Sequence, residues 1–432
     1  MTRETISINA SETGTGKTYM ALSLAQCSEG PFAVICPKPT VPNWQRLIQT
    51  FGLEDRCLLV KNIEGLKTGR TKFLTRDPKQ PKAFKWNLPA GTTLFIDEAH
   101  TYGGQSSQNA YALAYLKSVP DVHVHLMSAT LADSPARFRA FGFLMGLHDF
   151  VHFNQWAFEH GCFLDEYGNL RFTRIAAYKE SPMLKLHREI FPRFGIRLRI
   201  ADIEGFPENT LVPVLIDATP NKSHRDRVEL YMKSLEGRPE LEEAGAWAEA
   251  KVGDTTEINE NTMVKMLRER QRIELLKVPW LAAQLEETVE EGHNAAVFLN
   301  FKESIRWLQE RLTVPSTLIT GDLKDSEREA ARAAFQSNTV PIIIATHGAG
   351  GTGIDLHDLN GRPRVSFISP CFSTVQFIQT LGRIHRAGGL SPAIQSILCM
   401  KDSVEEMVLK RLEGKLKNLS LLNDGDFQPE RD

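Results

Sequence analysis

Ser11-Glu12-Thr13-Gly14-Thr15-Gly16-Lys17-Thr18 is preceded by an apolar run around Ile6 and Ile8 and followed by a helix-like pattern, Met20, Leu24 and Cys27. The order reads as strand, glycine-rich loop, helix. Such a loop turns its backbone N–H groups inward onto phosphate oxygens, so Thr13, Gly14, Thr15 and Gly16 are candidate phosphate contacts. Lys17 would reach the β- and γ-phosphates, the Thr18 hydroxyl would ligate Mg²⁺, and the helix N-terminus adds a favourable dipole. The expected occupant is a nucleoside triphosphate. The general pattern G-x-x-x-x-G-K-[ST] opens with Gly, and here Ser11 stands in that place.

A chain of 432 residues suggests two or three domains. With 42% hydrophobic and 24% charged residues and no apolar run near the length of a membrane span, it reads as globular and cytoplasmic. The six cysteines, Cys27, Cys36, Cys57, Cys162, Cys371 and Cys399, have no close paired spacing, so they are expected as reduced, mostly buried thiols. A net charge of −2 excludes wholesale electrostatic binding of nucleic acid and leaves local patches. One such stretch, Lys67 to Lys85, carries seven Lys or Arg against one Asp, with Phe73, Phe84 and Trp86 within or beside it. It fits a nucleic-acid contact or a solvated loop equally well.

Short apolar runs at Phe32 to Cys36, Leu58 to Val60, Thr93 to Ile96 and Val122 to Met127 alternate with helical stretches, which predicts a parallel, doubly wound sheet over 1–147. Ligands of such sheets sit at the carboxyl ends of the strands. Residues 148–206 read as a mainly helical bridge, and 207–432 as a second parallel-sheet unit with a helical insertion at about 235–290. In that insertion Glu236 to Glu260 is acidic and Pro279 is expected to break a long helix. Strands are expected at Leu211 to Ile216, Ala296 to Leu299, Ile342 to Ala345 and Val365 to Ser369, and an amphipathic helix on Val404, Val408, Leu412 and Leu416 closes the chain.

Asp97-Glu98-Ala99-His100 follows the strand Leu94-Phe95-Ile96, which sets two carboxylates at its carboxyl end. Hydrolysis needs one carboxylate on Mg²⁺ and one to orient and deprotonate water, roles expected of Asp97 and Glu98 respectively. Ser128 and Thr130, ending the next strand, carry hydroxyls able to couple the nucleotide's state to neighbouring loops. Later come Gly350-Gly351-Thr352-Gly353-Ile354-Asp355-Leu356 and a segment from Gln379 to Gly388. Arg383 and Arg386 lie three apart, on one face if that segment is helical, and could present two guanidinium groups to the γ-phosphate or form surface ion pairs.

Taken in order, TGTGKT, DEAH, SAT, VFLNF, GGTGIDL and QTLGRIHRAG resemble the helicase motifs of superfamily two, and more closely its Swi/Snf-like branch. Supporting resemblances are ICPKPTVPNW, the Phe191 to Asp217 segment with Arg197 and Arg199, and TGDLKDSEREAARAAFQ. The compact layout resembles phage- and virus-encoded members, which would act in a host cytoplasm. The resemblance implies an α/β fold of two RecA-like doubly wound parallel-sheet lobes joined by a mainly helical bridge, with ATP and Mg²⁺ in the cleft. It implies Lys17, Thr18, Asp97 and Glu98 from the first lobe, with Gly353, Gln379, Arg383 and Arg386 from the second. Departures are Pro370-Cys371-Phe372-Ser373 where Trp-Asn-Pro is usual, Gly389 where Gln is common, and no Gln-bearing segment expected ahead of Ser11 to read adenine. The implied activity is an ATP-dependent DNA translocase or helicase, duplex DNA favoured over single strands, with RNA-directed action or a nucleotide-switched scaffold as the alternatives. No membrane partner is expected.

Overall fold

The structure is a computed structural model that describes residues 5–68, 71–76, 79–80, 82–104, 107–166, 168–172, 181–217, 219–235, 260–350 and 354–424. It contains two compact units, one of Met1–Asp202 with Lys415–Asp432 and one of Ile203–Gly414. Each is an α/β body around a six-stranded sheet.

The first unit's strands are β1 (Ile6–Asn9), β2 (Phe32–Ile35), β3 (Cys57–Lys61), β6 (Thr92–Asp97), β7 (Val122–Met127) and β10 (Gly195–Ile196), in the order β10-β1-β7-β6-β2-β3. Every pairing is parallel. Two short antiparallel hairpins stand apart, β4 (Leu74–Arg76) with β5 (Phe84–Trp86), and β8 (Cys162–Leu164) with β9 (Leu170–Phe172). Side chains of successive strand residues go to opposite faces, and both faces are covered. Ala33, Ile35, Leu94 and Ile96 enter one core with Tyr102, Phe138 and Trp156. Phe32, Val34 and Phe95 enter the other beneath the helices Lys17–Cys27 and Val41–Thr50.

The stretch expected as a bridge divides between the units at Asp202. Phe153, Trp156, Met183, Leu186 and Ile190 are buried in the first unit's core, and β10 pairs with β1 as an edge strand. Two of the three aromatics in or beside the basic stretch have a packing role instead of a stacking one, while Phe73 is half-buried with Lys72 Nζ 5.2 Å from its ring centre. Phe84 and Trp86 are buried and the Trp86 indole donates to the Ala112 carbonyl at 2.8 Å, so neither ring face is available to a base.

The second unit holds β11 (Asn209–Ile216), β12 (Asn294–Leu299), β13 (Ser316–Ile319), β14 (Ile342–Thr346), β15 (Arg364–Ile368) and β16 (Ala393–Met400). Their order is β11-β16-β15-β12-β14-β13, again wholly parallel. Gly350 follows β14 where a Cβ would come within 2.6 Å of the Ala345 Cβ, so no larger residue fits without a shift. The helix Glu260–Glu290 runs through Pro279 where a break was expected. Proline removes the N–H that would reach the carbonyl four residues back, at Leu275. That carbonyl instead accepts from His224 Nε2 at 2.9 Å, which keeps the turn satisfied. The acidic run expected at Glu236 to Glu260 lies outside the described residues but for the backbone of Glu260. The last helix, Val404–Asp424, starts in the second unit, and from Lys415 onward counts with the first.

Candidate active site

The loop after β1 turns through Gly14 and Gly16, whose φ values of +84° and +87° suit glycine and strain any other residue. Gly16 caps the helix Lys17–Cys27, and Lys17 and Thr18 occupy its first two positions. Lys17 Nζ folds back onto the carbonyls of Ser11 and Glu12 at 2.9 and 2.8 Å. Thr15 Oγ1 also donates to the Glu12 carbonyl, at 2.8 Å. Thr13 lies half-buried in the turn. Ser11 has a use a glycine would not: it is fully buried, and its Oγ accepts from the Leu198 amide at 3.0 Å.

Register places Asp97 opposite Met127 at the carboxyl ends of β6 and β7, and Met127 opposite Asn9, the last residue before the loop. Asp97 Oδ2 accepts from Trp44 Nε1 at 3.0 Å and its Oδ1 from the Glu98 amide at 3.0 Å. Burial and then the Glu98 charge push its carboxyl up to about 6, against the Trp44 hydrogen bond and the Lys17 charge. Glu98 itself sits at φ +50°, a left-handed position rare for a side-chain-bearing residue. This turn carries its carboxylate away from the strand, with Oε2 3.3 Å from His100 Nδ1.

His100 Nδ1 is also 3.1 Å from Ser128 Oγ, and Ser128 Oγ accepts from the Thr130 amide at 3.2 Å. The Ser128 hydroxyl thus lies beside the same His100 ring that the Glu98 carboxylate approaches. His100 is the residue whose part the sequence left open, and Trp44 is one whose direct bond to Asp97 no motif announced.

Nucleoside triphosphate and Mg²⁺ fit these residues by the chemistry of the donors. The Thr18 hydroxyl and Asp97 carboxylate are hard oxygen ligands, and the loop offers backbone amides, a helix N-terminus and a cation. Lys17 can exchange two neutral carbonyl acceptors for charged phosphate oxygens, a stronger hydrogen bond.

In the second unit Arg383 and Arg386 do not share a helix face. The helix Thr374–Leu381 ends at Gly382, and both arginines lie beyond it, Arg383 in a turn and Arg386 in irregular backbone. Arg383 is buried and donates to the carbonyls of Gln379 and Ile354, each at 2.8 Å. Arg386 donates to the Gly382 carbonyl at 2.9 Å and pairs with Asp355. Gln379 is buried, and its Nε2 has no hydrogen-bond partner. Gly353 lies outside the described residues. A residue unremarked in the sequence, His347, is buried behind this helix, with Nε2 2.8 Å from the Ser369 carbonyl and Nδ1 3.2 Å from Thr380 Oγ1.

Comparison with known proteins matches residues 277–388 to the helicase conserved C-terminal domain. The chain is similar to a protein of Acanthamoeba polyphaga mimivirus named putative ATP-dependent RNA helicase L364, at 28% identity over 98% of this chain and 80% of that one. It is also similar to chromatin remodeling factor mit1 of Schizosaccharomyces pombe and to chromodomain-helicase-DNA-binding protein 1-like of Danio rerio, each at 22% identity. Those alignments cover 95% and 96% of this chain but only 31% and 42% of the two relatives. Among solved structures, S. cerevisiae Dbp5 bound to RNA and ADP BeF3 aligns over 96% of this chain and 84% of its own, with TM-score 0.47 and 13% identity. No described helix is long and apolar enough to cross a membrane. The domain match and the relatives together support a helicase of superfamily two.

Proposed function

We propose that this chain is a Swi/Snf-type motor that couples ATP hydrolysis to movement along, or remodelling of, DNA. The observation that carries the reading is the convergence at one sheet end of the Lys17 loop, the Asp97–Glu98 pair and the His100–Ser128 contact. In this reading Lys17 leaves the Ser11 and Glu12 carbonyls for the β- and γ-phosphates, and Thr18 and Asp97 would hold Mg²⁺. Bound there, the metal ion would neutralise phosphate charge as it develops. Glu98 orients water and takes its proton, and His100 relays the occupancy of that position to Ser128. Arg383 and Arg386 steady the phosphoryl group in the transition state, exchanging carbonyls and Asp355 for phosphate oxygens. Such an arginine is worth about 10³-fold or more in rate.

DNA as the track is supported by the names of the two chromatin-related relatives and by the Gly-Gly-Thr-Gly and His-Arg forms of the late motifs. The mimivirus relative, named as an RNA helicase, favours the second reading, an RNA-directed motor. The deciding experiment is steady-state phosphate release without polynucleotide and with single-stranded DNA, duplex DNA or single-stranded RNA, beside a Glu98→Gln control. Stimulation chiefly by duplex DNA, abolished in the control, is the expected outcome. Stimulation by RNA alone moves the chain to the second reading, and no release with any of them leaves a nucleotide-switched scaffold.

A further inference from the structure

The end of the last helix is fastened to the phosphate loop and to the Ser128–Thr130 loop of the first unit. Arg197 is the hub. Its Nε and Nη2 grip Asp424 as a fork, at 2.5 and 3.0 Å, its Nη1 donates to the Ala10 carbonyl at 2.7 Å, and its Nη2 lies 3.2 Å from Glu12 Oε1. Glu12 Oε2 in turn accepts from the Ile200 amide at 2.5 Å, and the Glu12 carbonyl holds Lys17 Nζ. One residue earlier on the helix, Asn423 is buried and donates to the Ala129 carbonyl at 2.9 Å. Leu422 enters the core of the same unit.

From this we infer that Asp424 and Arg197 are positioning residues for the nucleotide site, so that seating of the helix end and binding of ATP favour one another. The inference rests on the proposed function, and its physical ground is preorganisation. The loop must hold Glu12 and its carbonyl in place for Lys17 to swing from a fixed hinge onto phosphate, and a bidentate guanidinium with little exposure fixes that geometry more tightly than a solvated pair. The helix begins in the second unit, where the buried Lys277–Glu405 ion pair at 2.6 Å anchors it. Linkage requires the effect to run both ways: whatever factor the seated helix adds to nucleotide affinity, the nucleotide adds to helix seating.

The test uses the full chain and a non-hydrolysable ATP analogue with Mg²⁺. Asp424→Asn keeps the size of the side chain and removes its charge; Asp424→Glu restores the charge; Glu310→Gln, on an exposed pair of the second unit, is the control. Asp424→Asn is expected to weaken analogue binding roughly fivefold or more, with partial recovery in Asp424→Glu and none of the effect in the control. In the wild type, the analogue should slow hydrogen exchange of the 415–424 amides, a readout that needs no variant to fold. Unchanged affinity in Asp424→Asn together with unchanged exchange in the wild type would overturn the inference while leaving the proposed function standing. Failure of the wild type to bind any nucleoside triphosphate would remove both.

Discussion

Ser11 shows how a single departure from a motif can be structural. A glycine there would leave the part-buried Leu198 amide without its acceptor. Ser11→Ala makes the same deletion with less change in backbone freedom, and loss of a part-buried hydrogen bond costs about 0.5–1.5 kcal/mol, to be read from the urea midpoint. His347 supplies a second residue-scale prediction. Its Nε2 donates to the Ser369 carbonyl, and burial, with the Arg270 and Lys277 charges adding, depresses its pKa from 6.5 to about 4 against that hydrogen bond, so the ring is neutral at pH 7. Between those values the unfolded chain binds a proton that the folded chain refuses. Stability from this group is thus present above pH 6.5 and is lost as pH falls toward 4, by up to about 3 kcal/mol. Denaturation series at pH 7, 6, 5 and 4 should show that slope, and His347→Gln, which can still donate to Ser369, should flatten it.

At the scale of elements, Pro279 makes a sharp case. The helix around it survives because His224 takes the carbonyl that proline orphans. His224→Phe, which keeps a ring beside Trp307, should cost about 1–3 kcal/mol in the wild type. In a Pro279→Ala background the helix regains its own N–H donor, so the same substitution should cost clearly less; the double-mutant cycle measures the difference. This also marks what the sequence could and could not disclose. The central strands were legible because parallel strands buried on both faces read as continuous apolar runs, as Phe32 to Ile35 and Ile342 to Ala345 do. The loop, Asp97 and Glu98 were legible because their chemistry demands fixed residue types at fixed spacing. Pro279 misled because its remedy sits some fifty residues away, and the shared face of Arg383 and Arg386 stayed conditional because three-residue spacing implies a face only where a helix continues, and this one ends before them. The Trp44–Asp97 and Arg197–Asp424 bonds join residues whose proximity only the folded sheet creates.

The molecule as a whole is discontinuous in sequence: the first unit is completed by a helix end that follows the entire second unit. Leu422 is buried in a core otherwise built from residues more than two hundred positions earlier, and the His187 Nδ1 contact to its carbonyl at 2.7 Å reinforces the docking. Truncating that side chain removes contacts from the first unit alone, because Leu422 has no place in the second unit's core. Leu422→Ala should therefore lower the stability of the first unit by about 2–5 kcal/mol, depending on how far the cavity collapses. Hydrogen exchange resolves the two units. Faster exchange is expected in β1, β6 and β7, where Ile8, Ile96 and Leu126 share the core with Leu422, with β12, β14 and β15 unchanged. Equal acceleration in both sheets would mean that the units unfold as one cooperative body. Acceleration in the second sheet only would contradict the assignment of the helix end to the first unit. The expected pattern would establish that the helix end at residues 415–424 completes the unit that β1 begins, with the phosphate loop among the parts it stabilises.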